Sequence, residues 1–127
     1  MIILKGVKDR IDVKTTAKIE ADLGKVINVP FIVTVKKPTR TEKLELIERL
    51  VDQRDDDGEI VRPKITDEEL AQEFILGWRE LPDAEGNQIE FSDDALMALV
   101  DCPEYNTALS NAIQEVIFGK KSALAKN

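Results

Sequence analysis

Pro30-Phe31-Ile32-Val33-Thr34-Val35-Lys36-Lys37-Pro38-Thr39-Arg40-Thr41-Glu42 holds the change of structure around which the rest of the chain is read. Phe31 to Val35 is β-branched or aromatic throughout, which is strand composition. Pro30 lacks an N–H for a ladder, so it suits an edge or a strand's first residue. Lys37-Pro38 closes the strand. Thr39 and Glu42 then have the spacing of a capping box, in which each side chain satisfies the other's backbone donor. Leu44, Ile47 and Val51, with Leu46 and Leu50, follow at helical spacing and predict a helix over about residues 40–54.

Upstream, Ile11, Val13, Ile19, Val26, Ile27 and Val29 are scattered among polar residues with few helix caps, so residues 1–36 read as a strand-rich segment. Downstream, Asp55-Asp56-Asp57-Gly58-Glu59 is an acidic loop. Thr66 and Glu69 form a second capping box, and Asp67 and Glu68 suit a positive helix start. Leu70, Phe74 and Trp78 recur every fourth residue and predict one apolar helical stripe ending near Leu81-Pro82. Asp83 to Asn87 is a turn by composition, and Ile89 and Phe91 suit a short extended piece. Ser92 caps a third helix containing Leu96, Leu99 and Val100. Pro103 suits the first position of a fourth, with Tyr105, Leu109, Ile113, Val116 and Ile117 as its stripe and Gly119 as its end. The predicted fold is α+β and helix-dominated: an N-terminal strand region followed by about four helices. It is one domain over 1–127, with a helical core over 37–119 and a frayed tail over 120–127.

Charge is distributed unevenly. Residues 1–50 carry 11 basic and 7 acidic side chains, whereas residues 51–101 carry 4 basic and 16 acidic. An acidic block of this kind repels nucleic acid and attracts basic surfaces. The N-terminus is too short and too soon charged for a signal peptide, and no apolar run approaches a membrane span. With a single cysteine, Cys102, no disulfide forms within the chain. The expected compartment is the cytoplasm.

The chemistry-bearing residue types are sparse. Histidine is absent, which removes the commonest general base and the commonest zinc ligand. Cys102 has no histidine to activate it and reads as a small residue at a turn. The calcium-loop pattern needs an acid five residues before its glycine; Gln53 stands there for Gly58 and Leu81 for Gly86. The phosphate-loop pattern ending at Gly119-Lys120-Lys121-Ser122 needs a glycine where Gln114 stands. The expectation is therefore a chain with no catalytic residues, no metal and no cofactor, whose work is binding. Trp78, Phe91, Tyr105 and Leu109 are the candidate partner-binding residues, expected to stay partly exposed because four amphipathic helices in a chain this small cannot easily hide every stripe.

Residues 74–127 carry a resemblance. Phe74-Ile75-Leu76-Gly77-Trp78, the acidic glycine turn Asp83 to Asn87, Ile89-Glu90-Phe91-Ser92 opening a helix with Asp93-Asp94-Ala95-Leu96, the break at Asp101-Cys102-Pro103 and a final run ending in Ala125-Lys126-Asn127 follow one another in the order found in phage tail assembly chaperones. The sequence resembles that family, which belongs to long-tailed phages and integrated prophages. The resemblance implies virion assembly in the host cytoplasm. It further implies binding to the tape-measure protein, self-association around it, and a longer product of a programmed frameshift that recruits tail-tube protein. Lys126-Asn127 and Gly119-Lys120 are the dipeptides at which a slippery heptamer is expected. The acidic block leaves a second class open: an inhibitor or DNA-mimic protein that binds a basic protein surface.

Overall fold

The computed structural model describes Ile2 and residues 4–119. The expected tail over 120–127 and the dipeptides that include its residues lie outside that range. In chain order the elements are β1 (Arg10–Glu20), β2 (Val26–Lys36), α1 (Arg40–Arg49), β3 (Gln53–Arg54), β4 (Ile60–Arg62), α2 (Asp67–Phe74), β5 (Ile75–Arg79), α3 (Asp93–Val100) and α4 (Pro103–Phe118).

The long β1–β2 hairpin is the spine. It is antiparallel, running from Arg10 opposite Lys36 to Glu20 opposite Val26. Strand side chains alternate between faces, and here one face takes Val13, Thr15 and Ala17 from β1 and Phe31, Val33 and Val35 from β2, all buried. β5 adds a third strand on the free side of β2, with Trp78 opposite Val33 and Ile75 opposite Val35 across a bulge. α4 lies over the inner face and contributes Ala108, Leu109, Ala112, Ile113 and Ile117 to the core; α2 and α3 complete that layer with Ala71, Phe74, Leu96, Leu99 and Val100. The buried Thr15 hydroxyl donates to the Ala108 carbonyl at 2.9 Å, tying sheet to helix. On the outer face Asp12 accepts from the Thr34 hydroxyl at 2.7 Å and from Arg79 at 2.8 Å, a polar ladder across three strands.

The helix-dominated expectation is corrected. The chain is 38% helical and 29% strand, with a three-stranded and a two-stranded sheet. Two readings account for the difference. The predicted helix through Trp78 stops at Phe74, and Ile75–Arg79 turns into strand. Ile75 and Trp78 prefer a pleated, half-buried surface, and Gly77 costs about 1 kcal/mol in a helix interior. Leu70, Phe74 and Trp78 still all pack into or against the core, because the strand also turns Trp78 inward. The predicted helix over 40–54 stops at Arg49, and the acidic loop becomes the turn of the small β3–β4 hairpin. In that turn Gly58 adopts φ 82°, and Asp55 accepts from the Asp57 and Glu59 amides.

The caps stand where the sequence puts them. Thr39–Glu42 and Thr66–Glu69 form complete capping boxes, Ser92 accepts from the Ala95 amide, and Pro103 opens α4. The β1–β2 turn is less expected. Leu23 sits there at φ 60°, 97% exposed, in a left-handed conformation that bulky residues rarely adopt.

Candidate partner-binding surface

The four candidate residues do not form one surface. Trp78 and Phe91 come together: their rings meet edge to face with centroids 4.8 Å apart, and Trp78 Nε1 donates to the Ile89 carbonyl at 2.8 Å. They hold the 80–91 segment to the sheet, assisted by the Ile89 amide bond to Leu81 and the bridge between Pro82 and Gln88. Tyr105 lies elsewhere, on α4 against Phe31 at 6.1 Å, and burial raises its hydroxyl pKa. The expected exposure fails for two of them. Trp78 is 9% exposed and Leu109 only 1%, because the sheet gives both a core to enter. Phe91 remains at the surface and Tyr105 is half-buried.

Exposed apolar side chains stand before β1 (Ile2, Leu4 and Val7), around the β1–β2 turn (Leu23, Val26 and Ile27) and along α1 and just past it (Leu44, Ile47, Leu50 and Val51). The Thr39 box starts this helix, and Lys36 reaches Glu42 at 2.8 Å. The Lys36 hydrogen bond, with the Thr39 amide, holds the Glu42 carboxyl down at about 2. Leu46 is the one side chain of α1 that is buried. At 100° per residue, Leu44 and Glu48 both lie some 200° from Leu46, turned away from the core. Ile47 lies beside Leu44, and Val51 follows just past the helix end. All three apolar residues are exposed, Leu44 by 53%.

The small hairpin is braced against the end of α1. The Ile65 amide donates to the Arg49 carbonyl at 2.7 Å, the Lys64 amide to Asp52 at 2.7 Å, and Gln53 Nε2 to the Glu48 carbonyl at 2.9 Å. Arg49 pairs with Glu73 of α2 at 2.9 Å, which anchors the helix from behind. The hairpin carries two more exposed apolar residues, Ile60 and Val61, which as neighbours on a strand point to opposite sides. Residues 40–62, which span α1 and the hairpin, carry eight acids and five bases, and Arg40 lies on the same helix stripe as Leu44 and Ile47.

These residues were visible in the sequence, where they were read only as the helical spacing that predicts a helix over about residues 40–54. The overlooked signal is that Leu44, Leu46, Ile47, Leu50 and Val51 are too many for one helix face, so some of them have to point outward.

Chemistry elsewhere on the surface is sparse. A groove of about 940 Å³ runs between the segment before β1 and the start of α1, lined in part by Leu4, Val7, Pro38 and Leu76; its acids Asp9 and Glu42 are paired with Arg10 and Lys36. Among the described residues no group of three or more histidine, cysteine, aspartate or glutamate side chains is placed to hold a metal ion. No described helix is long and apolar enough to cross a membrane. Compared with family models, with curated proteins and with solved structures, the chain matches none.

Proposed function

We propose that this chain is a non-catalytic phage tail assembly chaperone, which binds and solubilises the tape-measure protein in the host cytoplasm and helps recruit tail-tube subunits through a longer frameshifted form. The observation that carries the reading is the exposed apolar side of α1, on a chain whose residues 74–127 resemble that family. Exposed apolar residues on one helix face, here Leu44 and Ile47 with Val51 just beyond, suit contact with a partner. A tape-measure protein is long and rich in helix, and its apolar stripes aggregate when left uncovered. A small acidic protein that covers such stripes keeps them in solution and turns nothing over. The test mixes the purified chain with tape-measure protein diluted out of denaturant. The proposal expects a soluble complex that co-elutes on size exclusion. Precipitation of the tape-measure protein to the same extent with and without the chain would remove it.

A further inference from the structure

We infer that the open edge of β1 pairs antiparallel with β1 of a second copy of this chain, about a two-fold axis at Thr15. The inference goes beyond the proposed function and stands on the strand's own residues.

β1 is the outermost strand of a sheet that runs β1–β2–β5. In an antiparallel ladder a residue's N–H and C=O point to one side, and alternate residues point to opposite sides. The Lys37 amide donates to the Asp9 carbonyl and the Ala21 amide to the Lys25 carbonyl, so the odd-numbered residues of β1 bond to β2. The backbone groups of Arg10, Asp12, Lys14, Thr16, Lys18 and Glu20 therefore point out along the edge. Space lies beside them. Hollows of about 390 and 520 Å³ separate the edge from the flank of α4, the first bounded by Asp12, Lys14 and Glu115, the second by Thr16, Lys18 and Thr107. An open edge of 11 residues is a template for another strand.

The side chains select which strand. Outward backbone groups pair only with outward ones, so a second β1 meets the first in steps of two residues. Full overlap sets Arg10 opposite Glu20, Asp12 opposite Lys18 and Lys14 opposite Thr16, each pair occurring twice about the two-fold axis. Opposite charges facing each other across a ladder are favourable. On the inner side Ile11 meets Ile19, Val13 meets Ala17, and Thr15 meets its own copy. A slip of one step in one direction sets Arg10 against Lys18 and Lys14 against itself. The same slip in the other direction sets Asp12 against Glu20 and Lys14 against Lys18. Both oppose like charges, which is destabilising. Longer slips leave fewer residues paired. The register that uses the whole edge is thus also the one in which the charges match.

Sedimentation of the full chain over a range of concentrations reads the dimer. Asp12 already binds Thr34 and Arg79 within its own chain, so the end pair of Arg10 and Glu20 carries the test. Arg10→Glu and Glu20→Lys are each expected to weaken the dimer about tenfold, since each turns two attractive cross-strand pairs into repulsive ones. The chain carrying both substitutions should regain the dimer, and so should an equimolar mixture of the two single variants. Arg10 and Glu20 of one chain stand about 33 Å apart at opposite ends of the strand, so such a rescue reaches from copy to copy. Within the chain Arg10 faces Lys36 and pairs with Asp9 at the surface, while Glu20 faces Val26. Every variant is therefore expected to keep its circular dichroism spectrum. Amide exchange gives a second reading. The Lys14, Thr16 and Lys18 amides should exchange fast in dilute chain and about tenfold more slowly where the dimer forms, whereas Val13, Thr15 and Ala17 stay protected in both.

A chain that stays monomeric at millimolar concentration overturns the inference. So does a dimer that ignores both single substitutions, or one that the double substitution does not restore, because its interface would lie elsewhere. Dimerisation that appears only after removal of residues 120–127 also overturns it, since the chain's own end would then occupy the edge. Exchange at Lys14, Thr16 and Lys18 that does not change with concentration removes the strand pairing even where a dimer forms. The two proposals fail separately. A charge-swapped rescue with tape-measure protein left insoluble keeps the pairing and removes the chaperone reading, and the reverse outcome removes the pairing.

Discussion

Phe91→Ala is expected to destabilise the fold by about 2–3 kcal/mol. Truncating a fully buried phenylalanine to alanine costs about 3–5 kcal/mol. Phe91 is 36% exposed, so roughly two thirds of that cost applies. The edge-on contact with Trp78, 4.8 Å between centroids, is included in it and accounts for about 0.5–1.5 kcal/mol. The Trp78 bond to the Ile89 carbonyl does not involve the Phe91 side chain, so the 80–91 segment stays attached and the native fold persists. Urea unfolding followed by tryptophan fluorescence is the assay, because Trp78 is the chain's single tryptophan. With a urea slope of about 2 kcal/mol per molar, the midpoint should fall by about 1 M or slightly more. Native emission should also shift to the red, because the indole loses its cover. A surface anchor without a structural role would move stability by less than about 0.5 kcal/mol. A midpoint shift of that small size would refute the packing argument and return Phe91 to the partner-binding candidates.

Three further outcomes follow from the same geometry. Leu23→Asn should stabilise the chain by about 1 kcal/mol, because asparagine tolerates the left-handed turn that costs leucine about 1–2 kcal/mol; a lowered thermal midpoint would contradict the turn geometry. Thr15→Val should cost about 1 kcal/mol in chemical unfolding, since it removes the hydroxyl bond to Ala108 but keeps the shape, and an unchanged midpoint would show that bond to be idle. Acid should weaken α1: Glu42 titrates at about 2 in the fold against an ordinary 4.5, so its contribution is present above about pH 4.5 and is lost as pH falls toward 2. Glu42→Gln should therefore flatten part of that acid limb in melts taken between pH 5 and pH 2, and an identical limb in the variant would contradict it.

The helix starts were legible because capping is local chemistry. Thr39, Thr66, Ser92 and Pro103 announce themselves within four residues, and each stands where the pattern puts it. The sheet was less legible. The inner row of β1 reads Val13, Thr15, Ala17, with a hydroxyl and a methyl where an apolar alternation is sought; Thr15 is buried there because Ala108 accepts its proton, a partner 93 residues away. β5 was hidden by coincidence of period. Leu70, Phe74 and Trp78 fit a helical repeat, yet only the pairing of Trp78 opposite Val33 decides that the last of them is on a strand. The candidate surface failed for a related reason. Trp78 and Leu109 were expected to stay partly exposed on the view that a small chain cannot hide four helical stripes. The hairpin spine supplies an additional wall that hides both, while α1, which touches that wall through Leu46, leaves its other apolar residues outside.

The chaperone reading is tested most directly by the soluble fraction of tape-measure protein made with and without this chain in the same cells. The account predicts that tape-measure protein expressed alone is found mainly in the pellet, and that co-expression moves it into the supernatant bound to this chain. A tape-measure protein that is equally soluble alone, or that stays in the pellet in the presence of excess chain, would contradict the account.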